Sequence, residues 1–193
     1  ILTGAKPVIV DVDEKTYTID IADAKRKITK KTKAIICVHL YGQACDLDEL
    51  LKLKKKYNLF LIEDCAEALG TKYKGKNVSN FGDISIFSFY GNKTITTGEG
   101  GMLVTNKKKF YKKSKILSSH GMNPRKRYWH DYVGFNYRMT NLQAAVGLAQ
   151  VENASKIIEK KIKIANNYNR EINSLNEAVK KNIIVPYINK KIL

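Results

Sequence analysis

Carboxylate, hydroxyl and amine side chains follow two apolar segments of this sequence at the points where those segments end. Asp64 and Glu67 come after one segment, and Ser88 and Lys93 come at the end of another. A lysine amine is a nucleophile at neutral pH when burial or a nearby cation lowers its pKa. Because a lysine in so basic a chain is more often a surface residue, spacing alone leaves a reactive and a solvated Lys93 both open. The residue types indicate a small-molecule site without an obvious set of metal ligands.

Short apolar runs alternate along the chain with longer amphipathic runs, a pattern typical of βαβ units around a largely parallel sheet flanked by helices. The carboxyl ends of parallel strands meet at one edge, where ligands bind, so the four side chains are expected there together. The predicted strands are residues 7–12, 33–39, 58–63, 84–89 and 101–105. The predicted helices are residues 20–29, 47–57 with Asp46 as N-cap, and one long helix from 140 to about 175.

The composition fits one well-buried α/β domain. The chain has 193 residues, of which 44% are hydrophobic, and this is too short for two ordinary domains. The net charge of +17 suits either a solvated lysine-rich surface or an anion-binding one. Three cysteines without a CxxC pair argue against a disulfide framework or a zinc ribbon. No apolar run reaches the ~18 residues of a membrane span and no leader opens the chain, so we expect a soluble cytoplasmic protein.

Three segments are more specific than the spacing. They are IEDCAEALG at residues 62–70, FGDISIFSFYGNKTITTGEGG at residues 81–101 and GFNYRMTNLQAAVGLAQ at residues 134–150. Together they resemble the DegT/DnrJ/EryC1/StrS family of nucleotide-sugar aminotransferases, which depend on pyridoxal 5'-phosphate (PLP). Residues 119–141 look most like the perosamine-synthase type. That type aminates C4 of a 4-keto-6-deoxy sugar nucleotide with glutamate as amino donor, in polysaccharide biosynthesis.

The resemblance implies an aspartate-aminotransferase-like (type I PLP) large domain, apparently truncated at both ends. Residues 1–150 correspond to the PLP-binding core. Residues 151–193 correspond to a long connecting helix, a strand-like piece at 183–185 before Pro186, and the start of a missing small C-terminal domain. The alternative to an active enzyme is a non-catalytic fragment or a degenerate relative that lacks the remaining parts.

The resemblance also implies roles for the strand-end residues. Lys93, in the pattern S-F-x-x-x-K, matches the lysine that links to the cofactor. Asp64 matches the acid that keeps the pyridinium nitrogen protonated, although a helix N-cap explains an aspartate there as well. Glu67 stands where many relatives carry Gln near the phenolic oxygen of the ring, or is a first-turn acid that complements a helix dipole. Ser88 matches the phosphate-binding serine, or bonds backbone at a strand end.

Other candidate positions lie farther along the chain or in weaker motifs. Asn136 matches an asparagine that reaches the cofactor phosphate of the neighbouring subunit, which implies a homodimer with a shared site; a turn residue is the alternative. His39 and Tyr41 belong to a VHLYGQ segment, and His39 is expected either to touch substrate or to fill the core. Arg125 and Trp129 lie in a loop similar to the substrate-proximal region, where they would grip a diphosphate and stack on a base, or remain solvated.

Competing functions fit the sequence less well. Nucleic-acid binding would use the positive charge and the segment KRYWH at 126–130, but no binding signature accompanies them. A dehydratase branch of the same family replaces the lysine with histidine, and Lys93 argues against that branch. The segment TTGEGG at 96–101 suits a tight turn between strands as well as a phosphate cradle.

Overall fold

A four-stranded sheet forms the centre of the computed structural model, which describes residues 3–185 and 187. The strands are β1 (Ala34–Val38), β2 (Phe60–Asp64), β3 (Lys72–Tyr73), β4 (Lys76–Asn77), β5 (Ile84–Ser88) and β6 (Gly101–Val104). The helices are α1 (Ile21–Lys27), α2 (Leu47–Tyr57), α3 (Lys108–Leu117), α4 (Asn141–Glu152), α5 (Ala154–Ser174) and α6 (Glu177–Lys180). The sheet order is β1-β2-β5-β6, with β1, β2 and β5 parallel and β6 antiparallel. The predicted largely parallel α/β sheet is confirmed.

Helix α2 forms where its capping residues predict it. The side chain of Asp46 accepts a hydrogen bond from the amide of Glu49, and Asn58 ends the helix in the left-handed conformation. The leucines Leu47, Leu50 and Leu53 are buried along one side of α2. This helix therefore joins β1 to β2 and covers the sheet, as the connection between parallel strands requires.

The two faces of the sheet differ in cover. Leu61 and Glu63 of β2 are fully buried on the face that α1 and α2 cover. Alternate residues point the other way, and Ile36 on that second face is 61% exposed. Asp64 lies in register with Val38 and Ile86, so it belongs to this second face. Within the described part of the chain, the second face is largely open.

Three predicted elements need correction. Residues 7–12 are not a strand, because Val12 makes only an isolated bridge and the Asp11 amide donates to the Asp23 side chain instead of to a strand. The helix predicted from 140 to 175 is two helices that meet at Asn153, whose side chain donates to the Ala149 carbonyl and competes with the backbone. Residues 183–185 have no strand structure, and Pro186 lies outside the described residues.

Helix α3 and the β3–β4 hairpin are not predicted from the sequence, because the residues that begin or turn them are not the usual capping and turn residues. Helix α3 begins after Lys107 without a side-chain cap, in a lysine-rich segment. The β3–β4 hairpin turns through Lys74 and Gly75, both with positive φ, a turn usually marked by Asn-Gly or Asp-Gly. No helix among the described residues is long and apolar enough to cross a membrane.

A buried carboxylate, Asp83, links β2 and β5 at the amino-terminal ends of the parallel strands. Burial raises the pKa of Asp83, but Lys107, the Leu61 amide and Lys54 outweigh burial and lower the pKa to about 2. The Lys54 amine lies 2.9 Å from the carboxylate. Asp83 therefore stays charged and ties β2 and β5 together at the edge opposite to Asp64.

The difference between the two faces can be tested with a pair of truncations. Leu61→Ala should lower the free energy of unfolding by about 3 kcal/mol, because it leaves a cavity in the covered core. Ile36→Ala, on the exposed face of the adjacent strand, should cost under about 1 kcal/mol. Urea unfolding followed by circular dichroism measures both. Equal losses would contradict the assignment of the covered face.

Candidate functional site

The carboxyl edge of the sheet brings together the residues predicted there. Asp64 ends β2 and is in register with Ile86 of β5, so Ser88, at the end of β5, lies at the same edge. Lys93 follows Ser88 and reaches back to Glu67, which comes directly after β2. The structure therefore places these four residues at one edge of the sheet and joins Lys93 to Glu67.

Lys93 is held by an ion pair at this edge. Its Nζ lies 3.3 Å from Oε1 of Glu67, and the two side chains are 19% and 31% exposed. Oε2 of Glu67 accepts the amide of Tyr41 at 3.3 Å, and the amide of Lys93 donates to the Tyr90 carbonyl at 3.0 Å. Glu67 thereby joins the ends of β1 and β2 to the segment that follows β5, and it fixes the direction of the Lys93 amine.

Asp64 and Ser88 both bond to the backbone and both keep further capacity. Oδ1 of Asp64 accepts the Ala66 amide at 3.0 Å, which is the local turn-capping role. Among the described residues, Oδ2 of Asp64 has no hydrogen-bond partner. The hydroxyl oxygen of Ser88 accepts the Tyr90 amide at 3.3 Å, so its proton remains available to donate. A ligand at this edge thus meets one carboxylate acceptor and one hydroxyl donor.

The TTGEGG segment is a connection between antiparallel strands, as the turn interpretation predicts. Thr97 donates through its hydroxyl to the Glu99 carbonyl at 2.7 Å. Gly100 has φ +153, and a Cβ there would collide with the Thr97 side chain. Gln143 of α4 donates to the Glu99 carbonyl at 3.1 Å, which packs α4 against this connection. Helix α4 therefore packs against the connection that follows Lys93.

His39 lies in the core, and the expectation that it touches substrate is wrong. Its side chain is fully buried. Nδ1 accepts the Cys45 amide at 3.1 Å, so Nε2 carries the proton and donates to Glu63 at 3.0 Å. Tyr41, two residues on, is 83% exposed in a short 3-10 turn and remains at the surface of the site.

Glu63, which the sequence analysis does not single out, receives a set of backbone donors. Oε1 accepts the amides of Phe81 and Gly82, and Oε2 accepts the amide of Ser79 at 3.0 Å. Burial raises the pKa of Glu63, but the hydrogen bonds from His39 and from these amides outweigh it and keep the pKa below its usual value. The missed signal is the strand alternation, which puts this acid on the buried face, where a charge requires partners.

The buried group of His39, Glu63 and Cys65 has the residue types of a metal site. Their ligand atoms lie within 4.8 Å of one another. Both ring nitrogens of His39 and both carboxylate oxygens of Glu63 are already hydrogen-bonded. A metal ion would have to displace these bonds, so we interpret the group as part of the core.

Asn136, Arg125 and Trp129 lie in a separate exposed segment. Asn136 forms an isolated bridge with Ser119. The Arg125 amide donates to the Asn123 side chain, and the Lys126 amine lies 4.1 Å from the centre of the Trp129 ring. Among the described residues, no hydrogen bond, ion pair or ring contact joins these three residues to Lys93. Within this segment, Lys126 and Trp129 form a cation–π pair.

Known proteins match this chain over most of its length. Residues 1–184 match the sequence model of the DegT/DnrJ/EryC1/StrS aminotransferase family. The GDP-perosamine synthase of Escherichia coli O157:H7 is 57% identical over 173 residues, covering 90% of this chain and 48% of that protein. DesV of S. venezuelae, solved in complex with a ketimine intermediate, has a TM-score of 0.88 and 30% identity over 99% of this chain and 50% of its own.

A second solved structure was determined with the expected cofactor. Spr1654 from Streptococcus pneumoniae, solved in its PLP form, has a TM-score of 0.79 and 30% identity, covering 89% of this chain and 49% of its own. The chain spans about half the length of the relatives that it matches. These similarities support PLP as the cofactor expected from the sequence.

The core position of His39 predicts a large cost for its removal. His39→Ala should lower the free energy of unfolding by about 3 kcal/mol, because the Cys45 amide loses its acceptor and Oε2 of the buried Glu63 loses one of its two donors. Tyr41→Ala, at the exposed neighbouring position, should change it by no more than about 0.5 kcal/mol. Urea unfolding measures the difference. A small cost for His39→Ala would contradict the buried hydrogen-bond network.

Proposed function

Because the chain belongs to the DegT/DnrJ/EryC1/StrS aminotransferase family, we propose that it provides the lysine-bearing core of a sugar-nucleotide aminotransferase. The proposed reaction is amination of C4 of a GDP-linked 4-keto-6-deoxy sugar with glutamate as amino donor. The observation that carries the proposal is the Lys93 amine, held 3.3 Å from Glu67 at the sheet edge that also carries Asp64. GDP is favoured as the nucleotide by the name of the Escherichia coli relative.

The residues at this edge fit the proposed cofactor. When bound, PLP supplies an electron sink for the transfer of an amino group. Lys93 provides a partly buried amine, and Asp64 provides a carboxylate oxygen that would hold a proton on the ring nitrogen. Ser88 would donate its hydroxyl proton to the phosphate. The edge thus offers one suitable partner for each of three parts of the cofactor.

Glu67 has two proposed tasks toward Lys93. It orients the amine, because its carboxylate is itself fixed by the Tyr41 amide. It also provides a proton acceptor, since the ammonium of Lys93 must lose a proton before the nitrogen can attack. Oε1 of Glu67, 3.3 Å from Nζ, is positioned to take that proton.

We further propose that a homodimer completes the site. Asn136 pairs with Ser119, and among the described residues no hydrogen bond joins it to Lys93, which supports a role toward the cofactor phosphate of a neighbour. Tyr41, Arg125 and Trp129 are proposed substrate contacts, because they present exposed aromatic and cationic groups suited to a nucleoside diphosphate. Two-fold symmetry would place two such composite sites in each dimer.

The proposed location is the cytoplasm. Cys37, Cys45 and Cys65 are free thiols. Thiols persist in reducing compartments, which supports this location. The division into a core at 1–150 and a connecting part at 151–193 remains a prediction.

Capture of PLP by Lys93 tests the proposed function directly. After incubation with PLP and borohydride reduction, peptide mapping should find the label on Lys93 in excess over the other lysines. Lys93→Ala should lose this label and keep the fold, because it removes an amine and no core volume. Lys74→Ala is the matched control, since Lys74 is also paired with a carboxylate, that of Asp48. Labelling spread evenly over surface lysines would contradict the assignment.

Subunit mixing tests the shared site. Lys93→Ala and Asn136→Ala should each lose most transamination of the GDP-ketosugar with glutamate. In mixed dimers one site has both residues intact, so random exchange should restore about a quarter of wild-type activity. Each variant incubated alone is the control. No recovery in the mixture would mean that both residues act within one chain.

A further inference from the structure

We propose that Glu63 is a positioning residue for the cofactor site, because its buried carboxylate fixes the strand ends that carry Asp64 and Ser88. The inference rests on the proposed function for the identity of the site. Glu63 is fully buried and points to the covered face of β2, directly behind Asp64, which points to the open face. One strand thus presents two successive acids to two different tasks.

The carboxylate of Glu63 holds the loop that precedes β5. The amides of Ser79, Phe81 and Gly82 all donate to Glu63, and the loop leads within two residues into β5, which ends at Ser88. The carboxylate therefore holds the loop that leads into β5, in addition to the direct pairing of β5 with β2 and the bond from the Leu61 amide to Asp83.

The loop is held in a conformation that its sequence does not favour. Ser79 has φ +81, in the left-handed region that non-glycine residues rarely adopt. At Gly82 a Cβ would lie 3.0 Å from Oε1 of Glu63 and 3.0 Å from the Leu61 carbonyl. Ser79 thus has a strained backbone, and the backbone of Gly82 lies too close to the carboxylate for a larger residue. Both features are expected where hydrogen bonds to the carboxylate impose the loop conformation.

Glu63 is also linked to β1. Its Oε2 accepts a hydrogen bond from Nε2 of His39, and the His39 amide donates to the Asp64 carbonyl at 3.0 Å. Two residues after His39, the Tyr41 amide donates a hydrogen bond to Glu67, which is the ion-pair partner of Lys93. The buried carboxylate is therefore linked to the Lys93 site by two routes. One runs through the end of β1 to Glu67, and the other runs through the loop and β5 to the segment that carries Lys93.

A glutamine cannot replace this acid. The carboxylate accepts on both oxygens, whereas the amide of Gln would turn an NH2 group toward backbone N–H donors. Glu63→Gln should release the loop while keeping the volume of the side chain. Asp83→Asn is the matched control, because Asp83 is also a buried acid between β2 and β5 but lies at the opposite edge.

The test compares the two variants by hydrogen exchange and by PLP capture, below the unfolding temperature of both. Glu63→Gln should speed amide exchange in residues 64–67 and 86–93 by about tenfold, the effect of one lost hydrogen bond to a charge. It should also weaken PLP capture at Lys93 by about tenfold. Asp83→Asn should leave both quantities at the wild-type level, even where it lowers the unfolding temperature as much.

Each outcome decides one question. Equal acceleration in both variants would overturn the proposal, because Glu63 would then act only as a core residue. Failure of the wild-type chain to capture PLP at Lys93 would instead overturn the proposed function, whatever the exchange data. If Glu63→Gln does not fold, Gly82→Ala replaces it in the test. The added methyl group should push the loop away from Glu63 while the carboxylate itself stays unchanged. Unchanged exchange at residues 64–67 and 86–93 in Gly82→Ala would also overturn the proposal.

Discussion

The burial of one charged carboxylate in the central strand sets a condition that much of the structure meets. A carboxylate transferred from water into a protein core is costly unless hydrogen bonds replace its hydration. Glu63 obtains these bonds from His39 and from the amides of Ser79, Phe81 and Gly82. Because the donors come from the end of β1 and from the loop before β5, satisfying the charge also brings these segments together.

Because side chains alternate along a strand, β2 places its structural residues on one face of the sheet and its candidate site residue on the other. On β2, Leu61 and Glu63 face the covered core, while Asp64 turns to the open face at the strand end. At the opposite edge of the sheet a second buried acid, Asp83, forms ion pairs with Lys54 and Lys107. The site side keeps unused polar capacity, as a ligand site must, since groups that are fully bonded within the protein have nothing left to offer a ligand.

Under the proposed function, the described residues provide one part of an aminotransferase site. They place an amine, a carboxylate and a hydroxyl at one edge of the sheet, whereas Asn136 and Trp129 lie in an exposed segment that no hydrogen bond or ion pair joins to Lys93 in the described part of the chain. The relatives are about twice as long as this chain.

The sequence by itself determined α2, through the Asp46 cap and its leucine spacing, and the strands that carry Asp64 and Ser88, because those signals lie within a few neighbouring residues. It also determined the edge where the site residues meet, since strand direction follows from the alternation with helices. Tertiary structure decided the core position of His39 and the partners of Glu63. These depend on residues 16 to 24 positions away in the chain, and no local pattern encodes which distant donor satisfies a buried charge.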